Sequence, residues 1–246
     1  MAMRNIERFC DLFRKLLEEK PVMSRVIDAG SSIMAELISE REWFGDILQK
    51  VLFDPTFNEN QKIGIWPNEI TLYRSPDRSF QILCYIWESY VKDAVHDHGS
   101  WGIIGSFVQP FRERKYKRLD DGKTEGYAVL EEVSSAIIEP GRVTHVLPLN
   151  KGIHSMENVS SDIAITINVY GRNIRKGYIQ FYNPEKNSVA RVYPPKSLRE
   201  KLAIRAAAAL RGPWSEEILK SVLVSNLPDH IKKEGEISLK KLKSFS

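Results

Sequence analysis

Two histidines separated by a single residue, His96 and His98, are the residues of this 246-residue chain that most directly suggest chemistry. The segment around them reads as a strand or the end of one, and side chains two apart in a strand lie on the same face. Two imidazoles on one face make half of a metal site, whereas Asp97 between them would point the opposite way, towards a structural partner. His145 and His154 are the candidates for a third ligand from another strand. The pair is also compatible with two half-buried histidines held only by hydrogen bonds.

The elements that must position these histidines form a central region rich in short strands. Between about residue 62 and residue 193, apolar or alternating runs are separated by turn residues such as Asp120-Asp121-Gly122 and Glu139-Pro140-Gly141. Many short strands with polar turns at intervals of roughly 8–12 residues predict a β-sandwich or barrel. Because strands do not alternate with helices here, a doubly wound parallel sheet is disfavoured.

Helical patterns flank this region on both sides. Ile6, Phe9 and Phe13 recur at spacings of three and four, which gives one apolar stripe on a helix. A second helical pattern begins near Ser32, and the helical period returns after Pro195. The predicted organisation is one compact domain that consists of an N-terminal helical segment (1–61), a barrel (62–196) and a C-terminal helical extension (197–246).

The composition indicates a protein that folds around a core, and it excludes several classes of function. Hydrophobic residues make up 42% of the chain, the mean hydropathy is −0.32, and no stretch reaches the roughly 18 apolar residues of a membrane span. The 36 Lys and Arg residues, against 32 Asp and Glu, are scattered, so neither nucleic acid nor membrane is predicted as a partner. The only cysteines are Cys10 and Cys84 and the N-terminus has no apolar signal segment, so we expect reduced thiols and a cytoplasmic location.

Several motifs resemble those of one protein family. The stretch from His96 to Gly105, HDHGSWGIIG, resembles the first metal-binding motif of the cysteine dioxygenase family of cupins. It is especially similar to bacterial members, which include the 3-mercaptopropionate dioxygenases. The stretch from Gly152 to Asn158 resembles the segment that supplies the third metal-binding histidine in that family. Tyr170-Gly171 and Tyr182-Asn183-Pro184 also match the bacterial pattern, and the resemblance extends from about Leu72 to Pro195.

The resemblance implies a mainly β cupin fold, that is, a double-stranded β-helix or jelly-roll barrel, with the helical segments as flanks. It implies Fe(II) as the cofactor, and it selects the third ligand, so that the set is His96, His98 and His154. General cupins often add a carboxylate ligand shortly after the His-x-His pair, but Gly102 and Ile103 occupy those places here. A set of histidines only is therefore favoured. The implied activity is oxidation of a small thiol by O2 to its sulfinate, and the expected substrates carry a carboxylate, as cysteine and 3-mercaptopropionate do.

Two departures from the family concern the catalytic residues that the resemblance implies. The family's Ser-x-His-x-Tyr relay beside the iron corresponds here to Thr166, Asn168 and Tyr170. Thr166 keeps a hydroxyl and Tyr170 keeps the phenol, but the amide of Asn168 cannot exchange a proton near neutral pH. We therefore expect Tyr170 to position a ligand rather than to end a proton relay. Animal enzymes crosslink this tyrosine to a cysteine near the place of Gly102, and its absence here predicts no crosslink, as in most bacterial relatives.

The resemblance also suggests how the carboxylate of the substrate is bound. Cysteine-specific members use an arginine shortly before the first core strand, and Arg74 fits that place, with Tyr73 as a weaker candidate. A bidentate guanidinium–carboxylate pair would fix the far end of the substrate. Mercaptopropionate-type enzymes use an arginine eight or nine residues after the tyrosine. This chain has none there, although Arg172 and Arg175 are nearby.

Two other interpretations stay open. Asn168 and the unsettled carboxylate anchor permit a metal-binding cupin that acts on a different thiol or on a non-thiol substrate. They also permit a non-catalytic cupin that binds a small ligand and signals through its helical flanks. Iron-dependent and thiol-dependent oxygen uptake separates the dioxygenase from the non-catalytic protein, and a broad substrate screen separates the two enzymes. The sequence makes no prediction of the oligomeric state.

Overall fold

Two β-sheets form the centre of the protein in a computed structural model, which describes residues 2–61, 64–175, 177–210 and 213–244. The strands, in chain order, are β1 (Glu69–Arg74), β2 (Phe80–Trp87), β3 (Val95–His96), β4 (Gly102–Val108), β5 (Phe111–Arg118), β6 (Leu130–Ile138), β7 (Val143–Val146), β8 (Ile153–Asn158), β9 (Ala164–Gly171), β10 (Ile179–Asn183) and β11 (Ser188–Val192). Sheet A has the order β1-β2-β9-β4-β7, and sheet B has the order β11-β10-β3-β8-β5-β6.

The eight consecutive strands β2 to β9 pair as a rolled-up hairpin. Strand β2 lies next to β9, β3 next to β8, β4 next to β7, and β5 next to β6, and all of these pairs are antiparallel. Two four-stranded antiparallel sheets connected in this way form a jelly roll. The predicted double-stranded β-helix of the cupin fold is therefore confirmed, and β1, β10 and β11 extend its sheets. The centre is mainly β, although the described helices contain more residues than the strands.

Both faces of sheet A are buried, and its strands are correspondingly apolar on both sides. Along β2, Phe80, Ile82 and Cys84 face outward into a cluster with the N-terminal helices, whereas Leu83 and Tyr85 face the space between the sheets. Strands buried on both faces read as nearly continuous apolar runs rather than as an alternation. We call the side of sheet A that faces sheet B its interior face.

Within the described residues, four helices precede the barrel, and they are α1 (Ala2–Glu18), α2 (Met23–Ser39), α3 (Glu42–Phe53) and the short α4 (Pro55–Glu59). The predicted helix start near Ser32 is wrong, because Ser32 lies inside α2 and the break comes at Glu40 and Arg41. Gly30 weakens the sequence signal for α2, since glycine is a poor helix former. It is needed there because a Cβ at Gly30 would come within 2.5 Å of Ile103 Cδ1 on β4.

The chain packs into two compact units. The first contains the described residues up to 61 together with 66–191, so the predicted N-terminal segment and barrel lie in one unit. The second contains residues 64, 65 and 192 onward, and the predicted boundary at residue 62 lies outside the described residues. Its helices are α5 (Pro195–Leu210), α6 (Ser215–Val224) and α7 (Asp229–Lys243).

The second unit has its own small core and a buried ion-pair group. Ile204, Leu219 and Ile231 pack together in that core. The carboxylate of Glu234 accepts hydrogen bonds from Lys201 Nζ at 3.1 Å and from Arg205 Nε at 2.8 Å. Among the described helices of both units, none combines the length and the apolar character that crossing a membrane requires.

Candidate metal centre

Three histidines meet between the two sheets, and they are the three that the sequence predicted as metal ligands. His96 ends β3 and lies directly opposite His154 of β8 in the antiparallel register. His98 follows two residues later, in the loop after β3. His96 and His154 are 3% and 1% exposed, and His98 is half-buried, so the group has one side that a small molecule can approach.

The nitrogen atoms of this group are arranged as a metal ion needs them. The Nε2 atom of His98 lies 3.1 Å from Nε2 of His96 and 2.8 Å from Nε2 of His154, and one nitrogen from each ring lies within 4.8 Å of the others. Two imidazole nitrogens that bind one ion at about 2.1 Å and at right angles are about 3 Å apart. The observed separations therefore allow the three nitrogen atoms to bind one metal ion.

Hydrogen bonds on the far side of two rings direct their lone pairs to the centre. His96 Nδ1 lies 2.8 Å from the carbonyl oxygen of Ala94, and His154 Nδ1 lies 2.8 Å from Oε1 of Glu113. An oxygen acceptor at Nδ1 fixes the proton there and leaves Nε2 as the metal-binding atom. Burial, together with the neighbouring His154, lowers the pKa of His96 to about 3, and burial lowers the pKa of His98 well below its usual value. Both rings are therefore neutral near pH 7, as metal ligands must be.

No carboxylate belongs to the ligand group among the residues that the structure describes. At the two positions where a general cupin would carry one, Ile103 packs on the helix side of sheet A and Gly102 has no side chain. The alternative third ligand, His145, pairs with Ile103 in the register of β4 and β7, so it also lies on the helix side. The donor set of this site is therefore three imidazoles.

The three residues predicted as catalytic share the interior face of β9. The ring of Tyr170 stacks on the ring of His98, with centroids 5.1 Å apart, and its phenol oxygen accepts a hydrogen bond from Asn168 Nδ2 at 3.0 Å. Thr166 Oγ1 accepts a hydrogen bond from Trp87 Nε1 at 3.3 Å. The Oδ1 atom of Asn168 is buried without a hydrogen-bond partner among the described residues. The three side chains are thus adjacent but do not form a continuous relay from Thr166 to Tyr170.

Gly102 makes room for the tyrosine ring. A Cβ atom at Gly102 would lie 2.5 Å from Cε1 of Tyr170 and 3.0 Å from Cγ2 of Val146. Any side chain at this position would have to displace the ring from its place against His98. Burial raises the pKa of Tyr170, so the phenol keeps its proton at neutral pH.

The two predicted substrate-binding residues lie on opposite faces of sheet A. A β-bulge between Thr71 and Tyr73 changes the alternation of β1. Tyr73 consequently packs on Phe80 on the helix side, with ring centroids 5.5 Å apart, and does not reach the histidines. Arg74 pairs with Gln81, whose other neighbour in the register is Tyr170, so Arg74 lies on the side of the interior face, where it is exposed to solvent at the end of the edge strand β1.

Asp97 points away from the histidines, as its position in the strand predicted. Its buried carboxylate accepts hydrogen bonds from Arg175 Nη1 at 2.7 Å, from Arg175 Nη2 and from the backbone N–H of Gln180 at 2.8 Å. Arg175 is therefore engaged in holding the strand end that carries the ligands. Arg172 donates to the carbonyl oxygen of Asp77 and is also directed elsewhere.

Two residues beside the ligands were not predicted from the sequence. Glu113 lies behind His154, within β5, in a stretch where charged residues occupy both strand faces and give no signal of burial. Trp66 precedes β1, and its ring lies 5.0 Å from the ring of His96 and 5.3 Å from that of Phe181. The indole therefore forms an apolar wall on one side of the centre.

Solved structures of other proteins show distant likenesses to this chain. No protein-family model matches the chain. A cupin superfamily protein from Desulfitobacterium hafniense DCB-2 aligns with 43% of this chain and 76% of its own, at 10% identity and a TM-score of 0.31. A cupin 2 conserved barrel domain protein from Salinispora arenicola CNS-205 aligns with 46% of this chain and 82% of its own, at 14% identity and a TM-score of 0.32. Likenesses at this level show neither a family nor a function, and the fold assignment rests on the strand order.

Proposed function

We propose that this protein is a non-haem Fe(II) thiol dioxygenase that oxidises a small, carboxylated thiol such as cysteine or 3-mercaptopropionate to its sulfinate. The observation that carries the proposal is the group of three histidines, which includes no carboxylate among the described residues and lies against Tyr170, whose raised pKa keeps the phenol protonated. Three neutral ligands leave the charge of a divalent ion uncompensated, and this favours binding of an anionic thiolate. The reaction adds both atoms of O2 to sulfur, so that RSH and O2 give RSO2H and no other reductant is consumed.

His96, His98 and His154 would hold the ferrous ion. When bound, the ion would supply a Lewis-acidic centre that brings the thiolate and dioxygen together. The protein contributes the geometry, because cross-strand pairing places His96 opposite His154 and Asp97 holds the strand end next to His98. The half-buried side at His98 is where a substrate enters.

Arg74 supports a substrate with a carboxylate. Arg74 follows the bulge of β1 on the interior face. Strand β1 lies two strands away from β9, which carries Tyr170, so the two backbones are about 10 Å apart. The side chain of Arg74 is held by Gln81 Oε1 at 3.2 Å and by Thr71 Oγ1 at 3.3 Å. A guanidinium fixed in this way can bind a carboxylate while the thiol end of the same molecule extends towards the histidines.

Tyr170 would position the bound molecule by donating a hydrogen bond from its phenol O–H group. Asn168 Nδ2 donates to the phenol oxygen, so the O–H bond of Tyr170 is free to point away from the amide. Because burial raises the pKa of Tyr170, this proton stays on the phenol at neutral pH. The role of Tyr170 is therefore to donate a hydrogen bond rather than to exchange a proton.

The test is oxygen uptake by protein that has been loaded with Fe(II) under anaerobic conditions. The panel is cysteine, 3-mercaptopropionate, cysteamine and mercaptosuccinate, with product analysis for the sulfinate. We expect uptake of one O2 per thiol with a carboxylated member of the panel.

His154→Ala is expected to abolish iron binding and uptake, whereas His145→Ala, which changes a histidine on the other face of sheet A, is the matched control and keeps both. Iron binding in the wild type without uptake on any thiol would refute the dioxygenase and favour a cupin of different chemistry. Failure to bind iron at all would favour a non-catalytic ligand-binding protein.

A further inference from the structure

A buried carboxylate lies directly behind one of the three histidines. Glu113 is 3% exposed, and its Oε1 atom lies 2.8 Å from Nδ1 of His154. Its other oxygen, Oε2, accepts a hydrogen bond from Thr144 Oγ1 at 2.6 Å, and Lys115 Nζ lies 3.5 Å from the same oxygen. Both carboxylate oxygens are thus held in place, and one of them is aimed at the imidazole.

The acceptors behind the other buried ligand differ in charge. His96 Nδ1 donates to the neutral backbone carbonyl of Ala94, at 2.8 Å. The carboxylate of Asp93 is near the same ring, but its Oδ2 lies 3.6 Å from Nδ1, beyond hydrogen-bond distance. Of the two fully buried histidines, His154 is therefore the one whose outer hydrogen bond goes to a carboxylate.

We propose that Glu113 is a positioning residue of the metal centre, which strengthens His154 as a ligand and thereby sets the affinity of the site for a divalent metal ion. This inference rests on the metal-binding part of the proposed function and not on thiol oxidation. A carboxylate that accepts the Nδ1 proton fixes the tautomer of a histidine and makes its Nε2 atom a stronger donor. The buried negative charge also offsets part of the charge of the ion, which three neutral ligands leave uncompensated.

Thr144 and Lys115 stabilise the buried carboxylate of Glu113. A buried carboxylate is costly unless it is paired and hydrogen-bonded. Thr144 supplies the second hydrogen bond, and Lys115 supplies a positive charge while its own Nζ donates to Thr144 Oγ1 and to the carbonyl oxygen of His145. The carboxylate of Glu113 is therefore held by Thr144 and Lys115 on the side away from His154.

The experiment measures the dissociation constant of Fe(II) alone, under anaerobic conditions, by competition with a coloured chelator. Glu113→Gln keeps the shape and an oxygen acceptor for the Nδ1 proton but removes the charge. We expect its dissociation constant to rise by about 10-fold to 100-fold. Thr144→Val, which frees Oε2 but leaves the carboxylate, is expected to raise the constant by a few-fold.

Glu157→Gln is the matched control, because Glu157 is a glutamate of the adjacent strand β8. It is bound by Arg112 and Arg114 on the opposite strand face. The dissociation constant of Fe(II) for Glu157→Gln is expected to stay within about twofold of the wild type, because Glu157 does not contact the three histidines.

The Nδ1 proton of His154 gives a second readout, measured by NMR of the metal-free proteins. The resonance of this proton is expected to be visible in the wild type and in Glu113→Gln. In Glu113→Leu, the proton is expected to exchange rapidly with water. An unchanged dissociation constant in Glu113→Gln and Thr144→Val would overturn the inference, as would a wild type that binds no Fe(II). Tight Fe(II) binding that falls in Glu113→Gln would support it even if no thiol were oxidised, so the two proposals fail separately.

Discussion

Replacing Gly102 with alanine tests whether the close approach of Gly102 and Tyr170 decides the position of the phenol. The added Cβ would lie 2.5 Å from Cε1 and 2.6 Å from Cδ1 of the ring, and 3.0 Å from Cγ2 of Val146. Gly102 lies between β9 and β7 in sheet A, so the backbone has neighbours on both sides. The ring, rather than the strand, is the part that can move.

The size of the effect follows from these distances. Carbon atoms in favourable contact are about 3.5–4.0 Å apart, so the ring has to retreat by about 1 Å. Overpacking of this kind typically costs about 1–3 kcal/mol, which corresponds to a melting temperature lower by roughly 2–12 °C for a protein of this size. A misplacement of about 1 Å in a positioning group can lower a rate by about 100-fold. We therefore expect a modest loss of stability and a much larger loss of activity.

Thermal unfolding, Fe(II) affinity and oxygen uptake are measured on the same preparations. Gly45→Ala is the control, because Gly45 lies inside α3 and a Cβ there would meet no atom within 4 Å. That variant is expected to be stabilised by roughly 0.5–1 kcal/mol, since alanine favours a helix over glycine. Iron affinity is expected to stay unchanged in both variants, because the three ligands are not displaced.

If Gly102→Ala melts at the wild-type temperature and oxidises thiol at the wild-type rate, the close approach of Gly102 and Tyr170 does not decide the position of the phenol. A loss of iron affinity equal to the loss of activity would also contradict it, because the effect would then lie in the ligands. Unchanged activity with lowered stability would mean that the position of Tyr170 does not limit the reaction.

Three further predictions concern substrate binding, the tyrosine and pH. Arg74→Ala is expected to raise KM about tenfold for a carboxylated thiol and to leave KM for cysteamine unchanged, and equal effects would refute the anchor. Asn168→His is expected to keep iron and to make the rate vary several-fold between about pH 6 and 8, and a flat profile would contradict the prediction. Arg205 lowers the pKa of Glu234, so the ionised carboxylate stabilises the second unit fully at pH values above the ordinary pKa of a glutamate. This stabilisation is lost as the pH falls through the lowered pKa. Glu234→Gln is expected to cost roughly 1–3 kcal/mol at neutral pH and to flatten the decline of the melting temperature below about pH 5, and parallel pH profiles would refute this.

The features that could be predicted from the sequence are those that depend on residues close to one another in the chain. His96 and His98 share one face because strand side chains alternate, and the many short apolar runs indicate a barrel. The choice of His154 needed the family resemblance, because spacing alone also allowed His145. The structure separates them by strand register, since His145 pairs with Ile103 on the helix side.

The features that were missed depend on contacts between distant segments or on irregular backbone. The bulge of β1 moves Tyr73 to the helix side and Arg74 to the interior face, and no residue type marks it. Glu113 lies among Arg112, Arg114 and Lys115, so only the position of His154 on the next strand shows that it lies beside the metal centre. The end of α2 at Ser39 was missed because the apolar pattern continues into α3.

The rolled-up pairing of the strands has a consequence for the order of folding. His98 and His154 are 56 residues apart in sequence and meet only when β8 has reached β3. Before that step the chain presents His96 and His98 alone, and two neutral imidazoles bind a divalent ion far more weakly than three. Closing so long a loop has to be driven by apolar burial between the sheets, since the ion contributes only afterwards. Metal uptake would therefore follow barrel closure rather than nucleate it, and its rate would report on completed folding.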